Sequence, residues 1–276
     1  MSDTQNSQQR KIVAAAIKGG KRPPILRQLF EKFSALLLAS AIILFWQIYV
    51  KVSGITEFVL PAPTAIAERL IVDFPLLISH AVITFSEVIA GFGSAVMIGL
   101  PMALIIFYSP IFERSIYPIL IALQTVPKIV LAPLLVLYLG YGWAPKIVLA
   151  FLISFFPILI STVIGLQSLD KDLVNMVRSM GAKEYQIFHK LRLPAALPNV
   201  FGGFKVAIYL AVIGAVIGEY VAAEQGLGYL QLQANSQFDT TLNFATVIMI
   251  SAIGVCLYLI LNALEKRMSF RRDSAV

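Results

Sequence analysis

Residues 145–167 read PKIVLAFLISFFPILISTVIGLQ, an almost unbroken run of apolar side chains. A run of this length is close to the ~20 residues with which an α-helix crosses the ~30 Å hydrocarbon core of a bilayer. Similar apolar segments lie at about 33–52, 80–108, 113–139, 199–223 and 243–264. The sequence therefore predicts an all-α, polytopic membrane protein with about six transmembrane helices.

The third segment is unusual because three prolines, Pro118, Pro127 and Pro133, interrupt it, and Lys128 lies near its middle. Proline removes a backbone donor and breaks or kinks a helix. Non-helical backbone is tolerated at bilayer depth only where protein or a water-filled cavity covers it. The residues leave two possibilities open, a continuous kinked span and a broken, partly re-entrant one.

The composition of the 276-residue chain supports a membrane protein. Apolar residues make up 58% and charged residues 13%, against about 45–50% and about 25% in soluble domains. The mean hydropathy is +0.82, which argues against an ordinary soluble enzyme. The single cysteine, Cys256, excludes an internal disulfide framework and a multi-thiolate metal site.

The formal net charge of +7 is distributed unevenly. Most lysines and arginines lie in the N-terminal tail (1–32), the 168–198 connection and the C-terminal tail (265–276), whereas the 53–79 and 224–242 connections are richer in acidic residues. Cytosolic flanks of membrane spans are enriched in lysine and arginine. We therefore predict that both termini are cytosolic, and that the surplus charge orients the chain and does not bind nucleic acid.

Motifs for soluble-enzyme chemistry are absent from the sequence. It contains no phosphate-binding P-loop, dinucleotide fingerprint, metalloprotease helix or nucleophile elbow. The two histidines, His80 and His189, fall on opposite sides of the membrane in the predicted topology, so a histidine metal centre or catalytic triad is not expected. We expect a non-catalytic chain without a cofactor, and any ATP has to be bound by another subunit.

The 168–198 connection is patterned as two short helices. Asp170 is placed to cap the first helix, and Gly181 supplies the backbone freedom for a sharp turn after it. An apolar stripe recurs along the first helix with helical spacing: Leu173, Val177 and Met180.

The second helix of the connection starts at about Lys183 and is expected to stop before Leu193-Pro194. From the pattern alone, two interpretations of the helix pair remain open. An amphipathic pair of this kind can dock into a partner's groove, or it can pack against the ends of the protein's own helices.

The spacing in this connection resembles the EAA loop of binding-protein-dependent ABC importer permeases, whose pattern is E-A-A, three residues, G, nine residues, I, any residue, L-P. Gly181, Leu191 and Leu193-Pro194 match this spacing without a gap. The chain departs from the pattern where Asn175-Met176-Val177 replaces Glu-Ala-Ala and where Leu191 replaces isoleucine. The missing glutamate puts an ion pair of that residue with the ATPase in doubt.

Further motifs are similar to the nitrate/sulfonate/taurine-type subfamily of these permeases. They are Leu60-Pro61-Ala62-Pro63, Gly91-Phe92, Gln124-Thr125-Val126-Pro127-Lys128 with Leu131-Ala132-Pro133-Leu134, and Gly218-Glu219 followed by Gly226-Leu227-Gly228-Tyr229-Leu230. The resemblance implies a type I ABC importer permease (MetI-like) fold, with 33–264 as the permease domain. It also implies a bacterial inner-membrane location, a second permease copy (a homodimer is expected), two cytosolic ATPase subunits and an external or periplasmic solute-binding protein.

In that family the EAA loop enters a groove on the ATPase. The resemblance therefore implies that the ATPase-coupling residues are Asn175, Met176, Val177, Gly181, Ala182, Leu191, Leu193 and Pro194. The expected function is to form the path for a small polar solute, such as a sulfonate, nitrate, taurine or a vitamin precursor. The alternative is an ion-gradient-driven secondary transporter or channel, for which the intramembrane carboxylates Glu87 and Glu219 are the candidates.

Polar residues inside the spans are candidates for the pore or a gate. Gln124, Thr125 and Lys128 are expected to line the pore, although Lys128 can instead form a structural ion pair with Glu87 or Glu219. An outer gate is expected from a different set of residues: Glu219, Gly226 and Gly228.

Overall fold

The computed structural model describes the backbone of residues 25–273, and the side chains of residue 33 and of residues 36–268. Most of the predicted N-terminal tail, residues 1–24, lies outside these described residues. Helix α1 (Ile25–Ser53) belongs to one compact unit, and the remaining helices belong to a second unit that begins at Thr56. From Leu36 onward α1 carries mainly exposed apolar side chains.

Ten further α-helices follow in the described part of the second unit, residues 56–273. They are α2 (Pro63–Val72), α3 (Phe74–Tyr108), α4 (Tyr117–Gln124), α5 (Ala132–Leu139), α6 (Trp143–Gln167), α7 (Lys171–Ser179), α8 (Glu184–Ile187), α9 (Leu193–Ala222), α10 (Leu227–Ser236) and α11 (Thr240–Asp273). Three short helical turns lie between some of these helices. Two are π-helical, at Phe112–Ile116 and Phe188–Arg192, and one is a 3₁₀ turn, at Lys128–Leu131.

The described residues contain five helical segments long and apolar enough to cross a membrane: Leu36–Ser53, Phe74–Tyr108, Trp143–Gln167, Glu184–Ala222 and Thr240–Met268. The segments Phe112–Gln124 and Lys128–Leu139, which contain α4 and α5, form a sixth span if they are counted together, with a bend of 84° between them. The predicted all-α fold with about six spans is confirmed. The bend falls where Pro127, in an extended conformation, cannot continue the helix.

Helices α3, α6 and α9 form the centre of the second unit, with two buried apolar clusters among them. Small residues allow these helices to approach closely. A Cβ atom placed on Gly214 would lie 2.7 Å from Cα of Ala150, and one on Gly218 would lie 2.8 Å from Cα of Lys146. Larger side chains at either position would push α9 away from α6.

Hydrogen bonds between segments that are distant in sequence identify the two ends of the second unit. At the upper end, which contains residues 56–73, 140–142 and 223–239, the Thr240 hydroxyl donates to the Phe58 carbonyl at 2.5 Å. At the lower end, which contains residues 109–116 and 168–192, the Gln167 amide donates to the Glu113 carboxylate at 3.1 Å. The 168–192 segment is called the lower loop below.

The predicted stop before Leu193-Pro194 is wrong, because the helix continues through this point into α9. The π-helical turn Phe188–Arg192 explains the continuity. The Leu193 N–H donates to the carbonyl of Phe188, five residues back, so the backbone is already wider when it reaches the proline. Proline is also tolerated in the first turn of a helix segment.

Candidate functional site

The first helix of the lower loop, α7, is capped as predicted. The Asp170 carboxylate accepts a hydrogen bond from the Asp172 N–H at 2.8 Å. The buried side chain of α7 is Val174, and the predicted stripe is exposed unevenly, since Met180 is 78% exposed, Leu173 is 37% exposed and Val177 is partly buried. The stripe is therefore partly covered by the protein itself and most open at Met180, next to the Gly181 turn.

Gly181 makes the turn between α7 and α8, as its sequence position suggested. Its φ is +88°, a conformation that side chains with a Cβ rarely adopt. The Gly181 N–H donates to the Arg178 carbonyl at 3.0 Å, and the Ala182 N–H donates to the Val177 carbonyl at 3.3 Å. This pattern is a Schellman motif, which ends α7 sharply and turns the chain into α8.

The turn leaves large apolar side chains exposed on the lower loop. We call Leu173, Met176, Met180 and Tyr185 the loop surface. Met176 is 54% and Tyr185 71% exposed. Of the other residues predicted for coupling, Asn175 is exposed beside Met176, whereas Leu191, Leu193 and Pro194 lie at the base of the loop and are partly covered or only just exposed.

At the upper end, Glu219 is the centre of a buried hydrogen-bond network and is only 1% exposed. Its carboxylate accepts from the Thr84 hydroxyl and from the Gly228 N–H, both at 2.6 Å. The Thr84 hydroxyl oxygen also accepts from the Leu227 N–H at 2.8 Å. This network joins α3, α9 and the start of α10, and we call it the upper network.

The predicted gate residues Glu219, Gly226 and Gly228 are brought together in the upper network. Gly226 has φ +115°, and a Cβ atom there would overlap the Glu219 carboxylate. A Cβ atom on Gly228 would lie 2.8 Å from both Glu219 Oε2 and the Val216 carbonyl oxygen. Nδ1 of His80 lies 3.0 Å from both the nitrogen and the oxygen of Gly226, so it also holds this turn.

A buried ion pair lies close to the upper network. Glu87 on α3 pairs with Lys146 on α6, and both side chains are almost completely buried. The predicted alternative that Lys128 pairs with Glu87 or Glu219 is therefore wrong. Lys146 is not among the residues predicted from the sequence. A lysine in the first turn of an otherwise apolar span is nevertheless a sequence signal that indicates a buried charge of this kind.

Gln124, Thr125 and Lys128 lie together at the break between α4 and α5. The Lys128 ammonium donates to the Gln124 carbonyl at 2.6 Å, and it lies 4.7 Å from the Phe156 ring centroid. A cation at the carboxyl end of a helix satisfies the carbonyl groups that the helix leaves open. The break is separate from the upper network, because Phe156 and Lys146 are about 15 Å apart along α6.

Comparison with known proteins identifies the family. The model of the family described as "Binding-protein-dependent transport system inner membrane component" matches residues 95–270. This chain belongs to that family. The predicted family is confirmed, and the permease is a multi-pass membrane component of a transport system.

Several curated relatives cover most of the permease. It is 32% identical over 241 residues to the formylaminopyrimidine transport permease protein ThiX of Halalkalibacterium halodurans, covering 87% of this chain and 96% of the relative. It is 36% identical over 227 residues to the riboflavin transport system permease protein RibX of Chloroflexus aurantiacus (82% and 85%). The putative aliphatic sulfonates transport permease protein SsuC of Bacillus subtilis is 30% identical over 251 residues (90% and 91%).

A solved structure of the MetNI methionine ABC transporter, in an inward-facing conformation, shares the fold. The TM-score is 0.62 with 20% sequence identity, covering 71% of this chain and 97% of that chain. The predicted MetI-like fold of the permease is confirmed.

Proposed function

We propose that the permease forms the translocation path of an ATP-driven importer for a small polar solute, either an anion such as a sulfonate or a planar vitamin precursor. The relatives named for formylaminopyrimidine, riboflavin and aliphatic sulfonates support this range of solutes. An external binding protein delivers the solute, two ATPase subunits supply the energy, and a second copy of the permease completes the path. The lower end of the second unit faces the cytosol, and the chain runs with its N- and C-termini on the cytosolic side of the membrane.

The observation that carries the proposal is the loop surface. Three large apolar side chains, Met176, Met180 and Tyr185, are exposed on the helix pair that the Gly181 turn joins. Methionine-rich apolar faces adapt to partner grooves, and an exposed amphipathic helix is a common docking element. The loop surface therefore inserts into the ATPase and transmits its movement.

The break between α4 and α5 lines the path. The polar side chains of Gln124 and Thr125 are exposed there, where the regular α-helix is interrupted. Lipid would leave such groups unsatisfied at a high cost. A water-filled path between two permease copies removes this cost, and Lys128 stabilises the break by binding the Gln124 carbonyl.

The upper network forms the outer gate. Glu219 holds the turn at Gly226–Gly228 against α3 through Thr84, so the turn moves only when these hydrogen bonds break. In an ion-driven carrier the intramembrane carboxylates have to be available to the driving ion. Here Glu87 is engaged by Lys146, and Glu219 by Thr84 and Gly228, which favours the importer over the carrier.

Substitution of Gly181 by valine tests the proposal. A β-branched residue is strained at φ +88°, so the α7–α8 turn changes while the membrane helices remain intact. We expect the variant to insert normally and to lose the stimulation of ATP hydrolysis by the loaded binding protein. Asparagine tolerates positive φ, so Gly181→Asn should retain most of the stimulation.

Gly202→Val is the matched control for the valine side chain itself. Gly202 lies in α9 without a positive φ, and no atom beyond the nearby backbone of α9 itself lies within 4 Å of the position that a Cβ would occupy there, so this variant should behave like the wild type. Unchanged stimulation in Gly181→Val would contradict the coupling role. Gradient-driven uptake by the permease alone in liposomes would instead favour the secondary carrier.

A further inference from the structure

The lower loop is joined by the chain itself to only two of the three central helices. It follows α6 through residues 168–170, and it continues into α9 through the π-helical turn Phe188–Arg192. Helix α3 has no such covalent connection to the loop. Yet α3 carries His80 and Thr84, which hold the upper network from the side opposite Glu219.

Side-chain contacts join the lower loop to α3. The Arg192 guanidinium lies over the Phe107 ring, 4.8 Å from its centroid, at the last turn of α3. Arg192 Nε also lies 3.9 Å from the Glu184 carboxylate, which in turn accepts from Arg178 Nη2 on α7 at 2.8 Å. We call Arg178, Glu184, Arg192 and Phe107 the Arg192 bridge.

The environment of Arg192 favours a defined position. Its side chain is 15% exposed, whereas those of Arg178 and Glu184 are about half exposed. A second contact between the lower loop and α3 supports the bridge: the ring centroids of Phe188 and Tyr108 lie 6.1 Å apart. A planar guanidinium can stack on an aromatic ring while its edge faces a carboxylate, and an ammonium group cannot reproduce both contacts.

We propose that Arg192 is a positioning residue that makes α3 follow the movement of the lower loop. This inference rests on the proposed coupling role of the loop. Helix α9 carries Glu219 and follows the loop through its backbone, whereas α3 carries Thr84 and follows it through the Arg192 bridge. Both sides of the upper network are thereby linked to the same loop, so the ATPase stroke moves Thr84 and Glu219 in concert.

Loss of the bridge separates these two movements. The loop then still docks on the ATPase and still moves α9, while α3, which remains packed against α6 and α9, follows the loop less closely. ATP hydrolysis continues while the gate responds incompletely. The quantity that reports this is the number of solute molecules imported per ATP hydrolysed, which does not depend on the amount of folded protein.

The experiment uses the complete transporter with its binding protein in proteoliposomes and compares Arg192→Met with the wild type. We expect assembly and basal ATP hydrolysis to be retained and the import-to-hydrolysis ratio to fall about tenfold, within the usual range of coupling between sites. Arg192→Lys should fall between the two. Lys190→Met, which removes an exposed charge from the same π-helical turn, is the matched control and should keep the wild-type ratio.

A second variant keeps the test decisive if Arg192→Met does not assemble. Phe107→Leu retains an apolar side chain and removes the ring, and its ratio should also fall. Combining both substitutions should lower the ratio no further than Arg192→Met alone, because each substitution removes the same contact between Arg192 and Phe107. A wild-type ratio in Arg192→Met or Phe107→Leu overturns the bridge, whereas a wild-type complex whose hydrolysis does not respond to the binding protein overturns the proposed function itself.

Discussion

Breaking the buried ion pair between Glu87 and Lys146 should strongly destabilise the permease. Both side chains are at least 95% buried. Removing one partner leaves the other charge buried without compensation, which costs about 3–5 kcal/mol. We therefore expect Lys146→Met to lower the free energy of unfolding by about that amount, and Glu87→Gln to have a similar effect.

The double variant separates the charge effect from a packing effect. Replacing a buried ion pair by neutral residues of similar volume is often neutral or stabilising, so Glu87→Gln combined with Lys146→Met should recover most of the lost stability. Gly218 packs on the Lys146 stem, and methionine retains that apolar stem, so the contact between α6 and α9 is preserved.

Equilibrium unfolding in mixed micelles, followed by circular dichroism, measures these differences. The exposed ion pair of Arg178 and Glu184 provides a control, because a surface pair contributes about 0–1 kcal/mol. The reasoning would be refuted if Lys146→Met changed stability by less than about 1 kcal/mol. It would also be refuted if the double variant were as unstable as the sum of the single variants.

Two further predictions concern the gate and the break. Gly226→Ala should destabilise the permease by about 1–3 kcal/mol more than Gly140→Ala does. Both glycines have positive φ, but only at Gly226 does a Cβ atom meet the Glu219 carboxylate; thermal unfolding of the two variants measures the difference, and equal losses would argue against this steric account. Lys128→Met should cost about 1 kcal/mol, since the Gln124 carbonyl loses its donor. The KM for uptake should stay unchanged in that variant, and a raised KM for an anionic solute with normal stability would show instead that Lys128 contacts the solute.

Local features of the structure could be predicted well from the sequence. The Asp170 cap and the Gly181 turn depend on residues within a few positions of each other, so the local sequence is sufficient to predict them. The break in the third span was anticipated as one of two possibilities. Pro127 interrupts the regular helix, but whether the helix kinks or breaks depends on tertiary packing, and the structure shows a break with an 84° bend.

The partners of the intramembrane charges could not be predicted in the same way. Glu87 pairs with Lys146 on α6, and Glu219 binds Thr84 on α3. Each of these contacts joins residues on different helices, and their pairing depends on how the helices rotate and pack. The continuation of the helix past Pro194 was missed for a related reason, since the π-helical turn before it shifts the backbone hydrogen bonds.

The sequence by itself determined that this chain is helical and crosses a membrane, because runs of about 20 apolar residues are stable only as helices in hydrocarbon. It also predicted the family, through the spacing of Gly181, Leu191 and Leu193-Pro194 together with the further motifs, and the family comparison confirmed that prediction. Only the tertiary structure decided which buried charges neutralise each other, and that Arg192 reaches Phe107. The physical reason is that insertion of a segment into a membrane depends on the composition of that segment alone. An ion pair or a ring contact depends instead on the relative positions of two segments in the folded protein.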